Sequence, residues 1–341
     1  MQIGKLMDAC LMKNKYINLI NISKQLIKKL PILKPIFDER DDLFEKNKQI
    51  EIELKKWKKG FVPPGHFYSP IPDIDQIKQN ISKLYDHTRA ISSSISLNEH
   101  TQKEMLSIFS QFYSELPFNE TLDNKNRYYL DNEYYGYSDG ICLYSMMRHL
   151  QPKRFIEVGS GFSSCAALDT ADKFLTNSPE FTFIEPYPGR LNKLLKPTDH
   201  NNKKITIQKS FVQDVPLNIF ESLEENDILF IDSSHVSKVG SDVNFLFFEV
   251  FPLLKTGVYI HIHDIFYPFE YPLSWINDQR AWNEIYLLES FLQYNEKFKI
   301  VYFNNYMEKN YRDEVYSKLP LCLKLPTSNL TIPGSIWLKK T

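Results

Sequence analysis

From about residue 125 onward the chain alternates short apolar runs with helix-length stretches, and this alternation constrains the fold more than any other feature. RFIEV (154–158) reads as a buried strand, followed by a Gly/Ser turn and a helix to about 175. FTFIEP (181–186), ITIQKS (205–210), DILFID (227–232), GVYIHIHD (257–264), FKIVYF (298–303) and GSIWLKK (334–340) repeat the strand pattern. Helices are expected between them near 189–196, 241–254 and 281–293. Strands that alternate with helices pair in parallel through right-handed crossovers, so this region is expected to be a doubly wound α/β sheet.

Residues 1–125 read differently. Leu, Ile and Lys recur there at helical spacing, as at Ile17, Leu19 and Ile20 with Leu26, Ile27 and Leu30, and again from Phe44 to Trp57. A Pro-rich connector, GFVPPGHFYSPIPD (60–73), interrupts them, and helices are expected again at 74–91 and 98–115. The domain division expected is therefore a helical region 1–125 and an α/β domain 126–341. Residues 1–60 carry 14 Lys+Arg against 8 Asp+Glu while the whole chain has a net charge of −1, so the rest is acidic and no general attraction to nucleic acid is expected. Four scattered cysteines make neither a zinc motif nor a disulfide framework. With no signal-peptide pattern and no apolar run of membrane-spanning length, a cytoplasmic location is expected.

The turn after the first strand, IEVGSGFSS, holds Gly159 and Gly161, which permit a tight turn and close approach of a ligand to the backbone. Ser163 and Ser164 follow at the expected helix N-terminus. Ligands of such sheets bind beyond the carboxyl ends of the strands, and Glu185 at the end of the second strand could accept hydrogen bonds from a ribose. A dinucleotide fingerprint needs a third glycine where this chain has Ser164, so a nucleoside without a pyrophosphate fits better than NAD.

The motif E-V-G-S-G-x-S-S, the acidic end of strand two and the count of seven strands resemble the class I S-adenosylmethionine-dependent methyltransferases over roughly 125–341. The resemblance implies a Rossmann-like sheet of order 3-2-1-4-5-7-6 with the last strand antiparallel. It implies that Glu157, Gly159, Ser160, Gly161, Ser163 and Ser164 surround the methionine part of S-adenosylmethionine, that Glu185 holds the ribose, and that Asp214 contacts the adenine. Asp139, before strand one, either faces the cofactor or caps a loop.

Strand four ends at Asp232 and strand five at His263-Asp264. If the two strands are neighbours, their ends lie about 5 Å apart. Carboxylates so close repel unless a proton or a cation lies between them. His235 follows Asp232 on the same side. Here the sequence resembles metal-dependent small-molecule O-methyltransferases, including those that act on sugars of macrolides. That resemblance implies a divalent metal (Mg or Mn) at Asp232, Asp264 and His263, with neutral His235 as general base. Family members carry an acid where this chain has His263. Imidazole suits Mn, Fe or Zn better than Mg, which leaves open a different metal, a supporting role for His263, or no metal. His261 is expected on the opposite face of strand five from His263. The segment 263–288, with Tyr271, Trp275, Arg280 and Trp282, is long enough for a lid, and its aromatics either grip an acceptor or pack the lid down.

The expected function is S-adenosylmethionine-dependent methyl transfer to a hydroxyl of a small polyhydroxylated, sugar-like acceptor, with oligomerisation through the helical N-terminal region. The alternatives are a protein or nucleic-acid methyltransferase docked by the basic arm, and a methyltransferase-like scaffold that binds without turnover. The acidic balance of residues 61–341 and the intact strand-end residues weigh against these two.

Overall fold

The computed structural model of the protein describes residues 34–57, 60–86, 91–327 and 332–341. Cys10 and the helical pattern read at 17–30 lie outside the described residues. Seven strands form one sheet: β1 Arg154–Val158, β2 Glu180–Ile184, β3 Ile205–Gln208, β4 Ile228–Ile231, β5 Tyr259–His263, β6 Phe298–Phe303 and β7 Ser335–Lys340. Their order is β3-β2-β1-β4-β5-β7-β6, as expected. β1 to β5 run parallel, whereas β7 is antiparallel to both β5 and β6.

The central strands form because their residues can be buried on both faces. Every residue of β4 and of β5 is buried. The strands' N-terminal ends are tied by Asp227, whose carboxylate accepts the backbone N–H groups of Lys153 (2.9 Å), Arg154 (2.8 Å) and Glu224 (2.9 Å). This leaves the opposite, carboxyl end free to open into loops.

Helix α1 (Lys34–Trp57) precedes the chain's division into two units at Asp73/Ile74. The second unit starts well before its first strand. Helix α2 (Glu99–Tyr113) packs on α3 (Tyr137–Leu150) and on β6, burying Met105, Leu106 and Phe109. Gln102 fastens it further, with Phe303 N donating to its Oε1 at 2.9 Å. α3 packs in turn on α4 (Phe162–Phe174). Ahead of α3, buried Arg127 donates to Asp169 and Asp172 and, at 2.7 Å through Nε, to Asp199; this anchors the incoming segment on α4.

Two expected helices differ from the reading. The helix at 74–91 is present only as Ile74–Gln79 and Ile81–Leu84. Asn80 lies at the break, its side-chain amide donating to Gln76 O at 2.8 Å, the acceptor an uninterrupted helix would reserve for its backbone N–H. The helix at 241–254 contains a π turn, Leu246–Val250, immediately before Phe251–Leu253. Pro252 there has no N–H to give to the regular ladder. No helix among the described residues is long and apolar enough to cross a membrane.

Candidate active site

At the carboxyl end of β1, Gly159 turns with φ +78°, and a Cβ on it would lie 1.9 Å from Asp232 O. The close crossing of β1 and β4 therefore demands glycine at this position. Gly161 differs. Its backbone is extended, and an added Cβ would meet only Arg190 Cδ, at 3.5 Å. Beneath the turn, Glu157 is fully buried, and its two carboxylate oxygens accept from Ser163 Oγ (2.5 Å) and Ser164 Oγ (2.6 Å). Burial pushes this carboxyl up to about 8 although both hydroxyls pull it down. Glu157, Ser163 and Ser164 thus satisfy one another and hold the turn from below, while Ser160 Oγ is buried without a partner. Ser160 N donates to Glu185 Oε2 at 3.3 Å, and Tyr187 N donates to Glu185 Oε1 at 2.8 Å.

A cleft of about 350 Å³ opens over this turn, lined among others by Gly159, Glu185, Phe211, Gln213, Asp232 and Ser241. Asp214 does not line it. The side chain of Asp214 is exposed, and the preceding residue of the same short turn, Gln213, faces inward instead. Gln213 Nε2 donates to Gly240 O at 2.8 Å, and its buried Oε1 has no partner.

At the other edge of the cleft the parallel register Ile231↔Ile262 brings Asp232 beside the end of β5. His235 Nε2 is 3.3 Å from Asp232 Oδ1 and 3.4 Å from Asp264 Oδ2. One ligand-capable atom from each of Asp232, His235 and Asp264 lies within 4.8 Å of the others. His235 (φ 59°) and Asp264 (φ 58°) both occupy the left-handed region, a conformation that costs an ordinary residue on the order of 1 kcal/mol and concentrates at functional sites. Helix α5 (Glu284–Leu292) holds His235 from behind. Asn283 N and Glu284 N donate to His235 O at 2.9 and 3.1 Å. Glu284 Oε2 lies 2.9 Å from His235 Nδ1 and accepts from Ser233 Oγ at 3.0 Å.

Residues 156–265 match the family model of a methyltransferase domain, a span that runs from β1 through the glycine turn to the end of β5. An uncharacterised protein of Archaeoglobus fulgidus is 36% identical over 172 residues, covering 49% of this chain and 75% of that protein. Residues 156–265 are therefore a methyltransferase domain. Among solved structures, this methyltransferase is similar to an O-methyltransferase from Bacillus cereus in complex with SAH, at 13% identity over 79% of this chain and 100% of that one, with a TM-score of 0.38. It is likewise similar to SAH-bound methyltransferase PaMTH1 of Podospora anserina, at 12% identity over 83% and 99%, with a TM-score of 0.37. Neither likeness is close enough to bear on the acceptor or a metal.

The charge state of the methyltransferase's acidic edge differs from the expectation of a neutral His235. Burial alone would lower His235. The hydrogen-bonded Asp232 and Glu284 carboxylates, together with Asp264, outweigh burial and hold it up to about 10. Asp264 is pushed up to about 6 by burial, against the pull of His263 and His235. Asp232 lies well below the usual carboxylate range: burial opposes this, but His263 and His235 prevail. In the metal-free site these carboxylates favour the protonated imidazole.

The close group of three holds His235 and not His263, although His263 Nε2 also lies 3.7 Å from Asp264 Oδ1. His263 lies behind Asp232, with Nδ1 3.4 Å from Asp232 Oδ1 and Nε2 3.5 Å from Asp139 Oδ2. Asp139 faces neither the cleft nor solvent. It accepts from Asn304 Nδ2 (3.1 Å), Gly334 N (3.1 Å) and Ser335 Oγ (2.8 Å), joining α3 to the ends of β6 and β7. The expectation for His261 was wrong about its face. Residues two apart on a strand share a side, and the His261 and His263 rings stack with centroids 6.3 Å apart. His261 is buried against Phe230, at 4.1 Å, and Trp337, a structural role.

The lid aromatics pack on one another. Trp282 contacts Trp275 (5.2 Å), Tyr271 (5.9 Å) and, on its inner side, His235 (4.4 Å), while the Arg280 guanidinium lies over Trp275. Sequence reasoning missed Glu284, Gln213 and Arg190. The first two have no signal beyond their positions at a helix start and in a turn. Arg190, stacked on Tyr134 at 3.8 Å, begins the helix after β2.

Proposed function

We propose that this methyltransferase methylates a hydroxyl of a small polyhydroxylated acceptor, a sugar-like molecule being the class to test first, and that Asp232, His235 and Asp264 hold a divalent cation. The observation that carries this reading is the convergence of three ligand-capable atoms within 4.8 Å of one another at the edge of the cleft. The donor set fits a cation on its own chemistry. Asp264 Oδ1 is buried without a hydrogen-bond partner, and His235 Nδ1 rests on Glu284 so that Nε2 turns toward both carboxylates. A carboxylate behind a ligating histidine fixes its tautomer and raises its basicity. The Asp₂His set suits Mn or Fe as well as Mg. A cation bound there would lower the pKa of an acceptor hydroxyl.

The chain's own residues supply the remaining parts. The Gly159–Gly161 turn gives backbone access to the methionine end of the cofactor, Glu185 takes the ribose, and Gln213 Oε1 is an acceptor for the adenine amine. His263 and Asp139 keep Asp232 in place. His235 as general base is the second reading. Both roles need Nε2 without its proton, so a cation would have to displace the proton that the carboxylates favour in the metal-free site.

Calorimetric titration of Mn²⁺ and of S-adenosylmethionine into wild type, Asp232→Ala and His235→Ala separates these readings. A metal-binding heat lost in both variants while the cofactor still binds is the expected result. Retained metal binding in His235→Ala, with methyl transfer abolished, would return His235 to the role of base. No metal heat in wild type would remove the cation from the proposal and leave the methyl transfer.

A further inference from the structure

Helix α1 is 24 residues long, and of its described side chains only Asp41 is even half-buried. A helix so exposed is expected to be polar on all sides. This one is not. Ile36, Leu43 and Ile50 recur every seven residues and are 62%, 54% and 51% exposed, and Leu54 (48%) continues the same stripe. With Arg40 and Asn47 between them, positions 36, 40, 43, 47, 50 and 54 alternate steps of four and three. That is the spacing of a coiled-coil seam about three heptads long, with Arg40 and Asn47 as its polar members.

The charges along α1 are segregated. Its first half, residues 34–45, holds Asp38, Glu39, Asp41, Asp42 and Glu45 against Lys34 and Arg40. Its second half, 46–57, holds Lys46, Lys48, Lys55 and Lys56 against Glu51 and Glu53. Two such helices side by side in parallel set acidic half against acidic half. Antiparallel, each acidic half lies along a basic one.

We propose that α1 is a self-association surface and that its occupant is α1 of a second copy of this chain, packed antiparallel along the seam of Ile36, Leu43, Ile50 and Leu54. The same charge gradient would also suit the dipole of a lone helix, and the two explanations predict different masses in solution.

The test is sedimentation of the full chain and of two variants at micromolar concentration. Wild type is expected at twice the chain mass, and Leu43→Asp with Ile50→Asp at the monomer mass. Because these side chains are exposed within one chain, S-adenosylmethionine binding of that variant should match wild type, which shows that the fold is intact. Asp38→Lys with Asp42→Lys and Glu45→Lys tests the orientation. It sets like charges together in an antiparallel pair and should weaken dimerisation by about tenfold or more. In a parallel pair it exchanges one like-charge contact for another and leaves the affinity near wild type. A monomeric wild type, a dimer that survives Leu43→Asp with Ile50→Asp, or a dimer indifferent to the lysine variant would each overturn the proposal.

Discussion

Two buried carboxyl groups at the carboxyl end of the sheet are treated differently by the fold. Glu157, under the β1 turn, has each oxygen taken by a serine hydroxyl from the first turn of α4, six and seven residues along the chain. Asp264, at the end of β5, has one oxygen 3.4 Å from His235 Nε2 and the other buried without a hydrogen bond. A satisfied buried polar group rigidifies its surroundings, whereas an unsatisfied one carries a standing cost that a ligand can relieve. The β1 end therefore reads as a finished scaffold for the cofactor. The β4–β5 end reads as an arrangement that becomes complete when something positive enters.

The largest expected effect tests the rigidity of the finished end. Gly159→Ala puts a methyl 1.9 Å from a backbone carbonyl at a positive φ, and neither β1 nor β4 can move without disturbing the sheet. The loss should exceed about 4 kcal/mol in urea unfolding. Gly161→Ala, two residues away, meets only the stem of Arg190 at 3.5 Å. It should change stability by less than about 1 kcal/mol while weakening S-adenosylmethionine binding, since the proposed cofactor placement runs the ligand past the open side of Gly161. If both variants lose the same stability, the turn is not divided into one structural and one ligand-facing glycine.

The difference between the two ends also decides what was legible in the sequence. The finished end is local: Glu157, Gly159, Ser163 and Ser164 fall within eight residues, so their interdependence appears in one short motif. The sheet was legible for a related reason, since runs such as Phe298–Phe303 are apolar enough to be strands in any context. The acidic edge is assembled from three chain segments. Asp232 and Asp264 were visible as strand-end acids, but the reading put His263 with them, where the close group of three holds His235. That choice depends on His235 entering a left-handed turn and on Glu284, 49 residues away, receiving its Nδ1. A glutamate in the first turn of a helix looks like any favourable N-terminal acid. The face of His261 was a different kind of error, since the period of two was in the sequence and was misapplied.

Glu284→Gln sharpens the comparison at the open end. The amide can still accept from Ser233 and His235, but the negative charge behind the imidazole is gone. In the metal-free protein His235 should lose its proton at a lower pH than the value of about 10 it has now, which a histidine NMR titration would follow. Affinity for Mn²⁺ should fall about 10- to 100-fold, the usual effect of removing a partner behind a metal ligand. An unchanged titration together with unchanged metal affinity would mean that Glu284 serves only to close the loop.

The smallest effect is expected at Glu157, and it lies in pH dependence more than in magnitude. Its folded-state pKa is raised from 4.5 to about 8 because burial disfavours the charged form more than the two serines favour it. Its contribution to stability is therefore complete below pH 4.5 and is lost as pH rises through about 8. Glu157→Gln keeps the shape and offers the donor and the acceptor that the protonated acid offers, without the titration. The variant should thus match wild type at pH 4 to 5 and be the more stable protein by pH 9, with Tm measured across that range as the readout. A gap that stays constant with pH would show that the serines hold Glu157 ionised throughout. The β1 end would then be finished by charge as well as by hydrogen bonds, and the contrast with Asp264 would rest on partners alone.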